Sequence, residues 1–534
     1  MPEAHTRNTE EKSKQKLKEW LNDRNNIALI GILIFAFFVR LFYFVLTKNQ
    51  PLWWDEAGYM AAAKTYAGIG SYQLESIRLP GFPLLMSIFF RIGLTSEPFM
   101  RFIALLIPSI ILIFLTYIMI KEMYPDKRVA LISTAILAVL WENLFYSNRF
   151  HTENLALIFE FLAIFILFKT YMKKESAWFI TPKYSLIWIA LLSFISIIFR
   201  PGNVMFVPAI FLFIIILNRS FFLSKKGLII SGVLILLAAG AAFFVLPRMA
   251  PEGFAGYYHP ENPFAWNVLA VFYGFYQSIA PWIPSVFFYT FLFGLLILVL
   301  DISIGLPKLK KISRTAEDLE LKSDIFNVIL LVSILFIFIF LMRPYTGFEY
   351  RWFFVFLPAM LAFTSKGAIA LTQYIGDLLK SEKASTILLL IIVVLGVYTQ
   401  VVFADRIIDD KITSYIQVKQ SGLWLKDNSN PSDIIVTASV PQQAYYSERT
   451  IYNFNVNGTS NDNEAIFTQR INQAKPKYLV LSSIQRGFTP DWAYTWPQRN
   501  NQTAIPVQIY YADAEKTMPV LIVYELRFPR NSSY

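Results

Sequence analysis

Apolar runs of 18 or more residues recur along this 534-residue chain, long enough to cross the ~30 Å hydrocarbon core of a bilayer as helices. With two shorter runs they fall at 26–47, 99–120, 129–147, 153–172, 184–199, 203–217, 228–247, 285–304, 324–342, 352–371 and 384–403, which predicts about eleven transmembrane helices. Arg200-Pro201-Gly202 interrupts one long apolar stretch and reads as a tight turn between two short helices. Residues 79–93 are apolar but short and contain Pro80, Gly81, Pro83 and Arg91, which suits an interfacial or re-entrant helix better than a span. Only 16% of residues are charged, against roughly 25% in a soluble globular domain. With no cysteine, disulfides, thiolate metal sites and cysteine nucleophiles are excluded.

The formal charge of +11 is explained by basic loops on one side of a membrane, not by nucleic acid. Loop 305–323 holds Lys308, Lys310, Lys311, Arg314 and Lys322, whereas the longer loop 248–284 holds only Arg248. Clusters at Lys121/Lys127/Arg128, Lys173/Lys174/Lys183 and Arg219/Lys225/Lys226 fall on the same side, as do Lys12, Lys14, Lys16 and Lys18. The expectation is a multi-pass plasma-membrane protein with a retained first span, residues 1–25 cytoplasmic and 26–403 in the membrane. The odd number of spans puts residues 404–534 on the extracytoplasmic side. There, short β-rich runs (Ile434–Ala438, Tyr478–Leu481, Val507–Tyr511, Val520–Leu526) alternate with helical patterns at 412–427 and 462–474. That alternation predicts a small α/β domain, which reads as a support or lid.

Three outer segments remain for chemistry: 48–98, 248–284 and 343–351. The first carries Trp53-Trp54-Asp55-Glu56-Ala57-Gly58-Tyr59, an adjacent carboxylate pair beside two indoles just after a span. This fits an interfacial tryptophan belt and a helix N-terminus, where acids suit the dipole, and it equally fits a reaction centre. A second cluster, Asn148-Arg149-Phe150-His151-Thr152-Glu153, precedes the fourth span. Arg149 and Glu153, four apart, are expected to pair on one helix face. Glu160 lies about two turns deeper, and a structural ion pair with Arg40 or Arg101 is its expected role. Arginines 78, 149 and 200 come from separate outer segments and 343 and 351 from the two ends of a fourth, and guanidinium forks bind phosphate oxygens bidentately.

A sugar linked through phosphate to a long lipid suits these parts. The phosphate is a competent leaving group that needs positive charge, and the acceptor needs one carboxylate as base. In these features the chain resembles the GT-C superfamily of membrane glycosyltransferases, nearest the protein O-mannosyltransferases and the lipid A aminoarabinose transferase. The resemblance rests on Asp55-Glu56, the Arg78-Leu-Pro-Gly-Phe-Pro83 segment, Arg149…Glu153, and Glu349-Tyr350-Arg351 leading to Pro358. It implies Asp55 as general base and Glu56 and Glu153 as site carboxylates, in company with His151, Glu349, Tyr350 and Tyr59. Arg78, Arg149, Arg200 and Arg351 are then the ligands of a polyprenyl-phosphate donor. The acceptor is a lipid, glycan or protein; no cofactor or metal is called for. The Trp-Trp-Asp-Tyr-Gly motif of oligosaccharyltransferases is absent, as is the extra lumenal domain of eukaryotic O-mannosyltransferases. The competing reading, a transporter or flippase for a lipid-linked glycan, predicts internal repeats that this sequence lacks.

Overall fold

A computed structural model of the chain describes residues 19–75, 78–227, 229, 286–305, 319–340, 350–454 and 464–528. The expected span 228–247 and the outer segment 248–284 therefore fall almost wholly outside the described residues. Helix α1 (Arg24–Thr47) leads into two helices set between the long apolar runs, α2 (Trp54–Tyr66) and α3 (Gly81–Arg91). The expected short helix over 79–93 is thus present as α3. Then come α4 (Glu97–Met123), α5 (Lys127–Val139), α6 (Trp141–Tyr146), α7 (Glu153–Met172), α8 (Pro182–Phe199) and α9 (Pro201–Leu217). The helical region ends with α10 (Val286–Gly305), α11 (Leu319–Phe340), α12 (Phe353–Leu378) and α13 (Glu382–Lys411). Among the described residues α1, α4, α7, α8, α12 and α13 are long and apolar enough to cross a membrane, while α9 and the Val286–Asp301 stretch of α10 are shorter. The architecture is polytopic and helical; among the described residues six helices meet the length requirement, against about eleven spans expected over the whole chain.

The expected continuous span over 129–147 is broken. Leu140 leaves helical geometry at φ −53°, ψ 117°, separating α5 from α6. A broken helix inside a membrane must find new partners for its freed backbone groups. Arg40 of α1 supplies them, donating to the carbonyls of Leu137 (3.2 Å) and Ala138 and to Asn143 Oδ1 (2.7 Å). Trp141 N–H in turn donates to Gln400 Oε1 of α13 at 3.1 Å. Elsewhere α10 and α12 cross at Gly294 and Gly367, where a Cβ on either glycine would strike the other helix's backbone. Small residues at such crossings let membrane helices pack closely.

Residue Lys366, on α12, is buried among carboxylates from two other helices. Its Nζ lies 2.6 Å from Asp324, 2.9 Å from Glu320 and 3.2 Å from Asp301. The three carboxylates come within 4.8 Å of one another, and the ammonium supplies the positive charge that a metal ion would otherwise bring. Tyr124 donates to the second oxygen of Asp324 at 2.8 Å.

Beyond α13 the chain forms α14 (Ile416–Asn428), β1 (Ile434–Thr437), α15 (Val440–Ser447), β2 (Thr450–Tyr452), α16 (Glu464–Ala474), β3 (Tyr478–Ser482), α17 (Asp491–Arg499), β4 (Ala504–Tyr511) and β5 (Pro519–Leu526). The α/β expectation holds: the sheet order is β2-β1-β3-β5-β4, parallel through β2, β1 and β3 and antiparallel for β5 and β4. Both faces are covered, as a largely parallel sheet requires. Val436, Leu479 and Leu481 pack with Phe467 and Trp496 on one side, and Ile435, Val480 and Val523 with Val418 and Leu425 on the other. Helix α15 seats this unit on α2. Tyr446 Oη accepts from Leu52 N–H at 2.9 Å, and Lys64 Nζ donates to Tyr445 O at 2.8 Å and Glu448 Oε1 at 2.7 Å.

Candidate active site

The two adjacent carboxylates at the start of α2 face opposite ways and have different surroundings. Glu56 turns inward and is fully buried. Its Oε2 accepts from Trp53 N–H at 2.8 Å, closing the helix N-terminus, and its Oε1 accepts from Phe150 N–H at 2.8 Å. Arg149 Nη1 lies 3.2 Å from Oε2, and Arg101 Nη1 lies 3.8 Å from Oε1. Arg101 also donates to the carbonyls of Asn148 and, at 3.1 Å, Gln50. Glu56 therefore fastens the start of α2 to the turn over 148–152.

Asp55 turns the other way and is held between two arginines. Its Oδ1 accepts from Arg78 Nη2 and its Oδ2 from Arg351 Nη2, both at 2.5 Å. Burial alone would raise the Asp55 carboxyl, but the Arg351 and Arg78 guanidiniums overcome it and hold the group well below the usual carboxylate range. Arg78 is braced through Nε by Glu75 Oε2 at 3.0 Å, and Glu75 Oε1 accepts from Trp54 Nε1 at 3.0 Å. The Arg78 guanidinium also lies 5.1 Å from the centre of the Tyr59 ring. Behind it, α3 opens against the end of α8, where a Cβ on Gly81 would meet the Ile198 carbonyl.

Arg351 links Asp55 to the second cluster. Its Nη1 donates to His151 Nδ1 at 3.1 Å and lies 3.7 Å from Glu153 Oε1. A guanidinium cannot accept, so Nδ1 is the acceptor and the imidazole proton sits on Nε2. Burial, reinforced by Arg351, pushes the imidazole pKa well below its ordinary value, so His151 is neutral. Arg200 donates Nη2 to the Arg351 carbonyl, and its Nε lies 3.9 Å from Glu153 Oε1. Several buried polar atoms here have no hydrogen-bond partner in the protein: His151 Nε2, Glu153 Oε2, Arg200 Nη1, Glu160 Oε1 and Asn203 Oδ1. Buried polar groups are normally paired, so this cluster retains hydrogen-bonding capacity that the protein does not fill.

Arg78, Arg200 and Arg351 thus gather around Asp55 and Glu153, with His151 and Tyr59 beside them. Arg149 does not join them: it is buried under Glu56, with its guanidinium 3.8 Å from the Trp53 ring centre. Nor does it pair with Glu153, because α7 begins at Glu153 and leaves Arg149 in the preceding turn, off the helix that four-residue spacing presumes. Glu160 likewise pairs with neither Arg40 nor Arg101; its Oε2 accepts from Asn203 Nδ2 at 3.0 Å. Arg343 and Glu349 lie outside the described residues, as does the side chain of Tyr350. Sequence reasoning missed Glu75, Gln50 and the ring of Phe488, which stacks on Trp54 with centroids 4.8 Å apart and planes 17° from parallel.

No protein-family model and no curated protein sequence matches the chain. Solved structures do resemble it. The apo ArnT of Cupriavidus metallidurans matches over 94% of this chain and 100% of its own, at TM-score 0.58 and 10% identity. The same protein bound to undecaprenyl phosphate matches over 93% and 97%, at TM-score 0.57 and 9% identity. The apo oligosaccharyltransferase of Archaeoglobus fulgidus matches over 87% of this chain and 70% of its own, at TM-score 0.57 and 12% identity. The chain shares its fold with ArnT and the archaeal oligosaccharyltransferase, in keeping with its resemblance to the GT-C superfamily.

Proposed function

We propose that this protein is a membrane glycosyltransferase that moves a sugar from a polyprenyl-phosphate donor to an acceptor hydroxyl on the extracytoplasmic face. The observation that carries the reading is the Asp55 carboxylate held between Arg78 and Arg351, next to the buried and unpaired Nη1 of Arg200. The bound undecaprenyl phosphate in a structure of like fold supports a lipid phosphate as the donor's anchor. The acceptor oxygen attacks the anomeric carbon while the bond from that carbon to the phosphate oxygen breaks. Asp55 takes the acceptor's proton, and the phosphate leaves with the bonding electrons. Arg78, Arg200 and Arg351 stabilise the charge that grows on it. Arg149 and Glu56 hold the frame behind Asp55.

The two arginines serve one further purpose in this scheme. A carboxylate with so low a pKa is a weak base, and a base works best when its pKa nears the working pH. The donor phosphate competes for Arg78 and Arg351, so its binding loosens their hold and raises the basicity of Asp55. In this way Asp55 becomes an effective base only when there is a sugar to transfer. The topology that goes with the reading places the N-terminus in the cytoplasm and the sheet-bearing C-terminal unit outside. The direct test is transfer from radiolabelled polyprenyl-phosphate sugars to membrane extracts by purified protein and by Asp55→Asn. Normal transfer by a folded Asp55→Asn protein would overturn the proposal.

A further inference from the structure

In open α/β sheets, ligands bind beyond the carboxyl ends of the parallel strands. Here β1 ends at Thr437 and continues through Ser439 into α15, while β3 ends at Ser482 and continues through Gln485 to the turn bearing Phe488. Ser439 Oγ donates to Gln485 Oε1 and ties the two strand ends together. Both strand ends meet the start of α2. From β3, Phe488 stacks on Trp54, the neighbour of Asp55. From β1, Pro441 lies 3.9 Å from where a Cβ on Gly58 would sit, one turn past Asp55.

Gln442 follows Pro441. It is fully buried, yet neither its amide nitrogen nor its amide oxygen has a protein partner. It shares a helix face with Tyr445 and Tyr446, which reach Lys64 and Leu52, so it faces the membrane part of the chain. The buried polar side chains at this edge (Thr437, Ser439, Gln442, Ser482 and Gln485) are all neutral, while the exposed Arg486 lies on the turn that bears Phe488. A neutral group that both donates and accepts, on the same sheet edge as a flat aromatic ring that is 65% exposed, matches the hydroxyls and the C–H face of a pyranose.

We propose that the carboxyl edge of β1 and β3, with Gln442 as its hydrogen-bonding group and Phe488 on Trp54 as its stacking wall, binds the saccharide of the acceptor. The word acceptor rests on the transferase reading, but saccharide binding does not require it. The test is binding of neutral disaccharides of gluco, galacto, manno and N-acetylglucosamine configuration to the full chain in detergent, without donor, by saturation-transfer NMR. At least one should bind, and Gln442→Leu and Phe488→Ala should each weaken it about tenfold. Gln442→Leu removes an unpaired buried amide, so its Tm should stay level or rise. The proposal is overturned if no disaccharide binds, if both variants bind as well as the parent, or if Gln442→Leu lowers Tm. It is also overturned if a capped neutral tripeptide, and no disaccharide, is what the two variants stop binding. A chain that binds disaccharide but transfers nothing would sink the transferase reading and leave this subsite standing; a chain that transfers sugar yet binds no disaccharide would do the reverse.

Discussion

Helix α12 joins two buried ionic clusters of opposite character. Just before its start, Arg351 stands with Arg78 and Arg200 around Asp55 and Glu153. Thirteen residues into the helix, roughly 20 Å away along its axis, Lys366 stands alone among Asp301, Glu320 and Asp324. The Lys366 cluster is saturated: an ammonium has three N–H groups, and three carboxylates take them. The Asp55 cluster is left open at His151 Nε2, Glu153 Oε2 and Arg200 Nη1. Both bury charge, but the Lys366 ammonium has no N–H left over, while the Asp55 cluster keeps buried donors and acceptors without a hydrogen-bond partner. We read the Lys366 cluster as a strut and the Asp55 cluster as the candidate site.

Four experiments press on that contrast. The largest effect is expected at Asp55. A general base contributes ~10²–10⁴-fold, so Asp55→Asn should cut transfer at least about a hundredfold with donor binding retained. The same assay on Lys366→Met should show normal transfer per folded molecule; a comparable loss there would erase the distinction between the clusters. Lys366→Met should instead lose stability, because breaking a buried ion network leaves uncompensated carboxylates. About 3 kcal/mol is expected, the low end of the usual range, since Asp301 and Glu320 are half-exposed. Thermal or denaturant unfolding in detergent reads it, and an unchanged midpoint would deny the strut role.

Arg200→Lys comes next in size. An ammonium keeps the charge but cannot hold the Arg351 carbonyl and fork onto a phosphate together, so donor affinity should fall about tenfold with Tm unchanged. Equal donor affinity would return Arg200 to the scaffold. The smallest effect is a shift in pH profile. Asp55 in the free chain is ionised well below the ordinary 3.8, so kcat/KM, which reports the free enzyme, should stay level until strongly acidic pH. Donor binding draws the arginines off and raises that pKa, so the acid limb of kcat should lie at higher pH. Coincident limbs would mean that the arginines never leave Asp55.

The spans, the short helix after Pro80 and the strands of the C-terminal sheet were legible because each is written in local apolar periodicity. Asp55 and Glu56 stood out as adjacent acids beside a span, and the arginines as charges at helix ends. What escaped was partnership across long separations. Nothing near Arg149 announces that it belongs to Glu56, 93 positions earlier. The four-residue spacing to Glu153 pointed to a local pair that the start of α7 forbids. Phe488 reads as an ordinary loop aromatic until the sheet sets it on Trp54. The break at Leu140 also left no local sign, because Arg40 rather than a proline makes it possible.

That last arrangement has a consequence for how the protein is made. Arg40 belongs to the first span, and the carbonyl it caps at Ala138 comes 98 residues later. During synthesis α1 reaches the bilayer before its arginine has anything to bind. An arginine at the centre of a span costs about 2.5–3.5 kcal/mol on insertion; Arg40, two-thirds of the way along α1, incurs part of that, and the apolar residues around it must carry it alone. The charge is relieved only when α5 and α6 arrive, so the first helix enters as an unfinished part, and the break in a later one completes it.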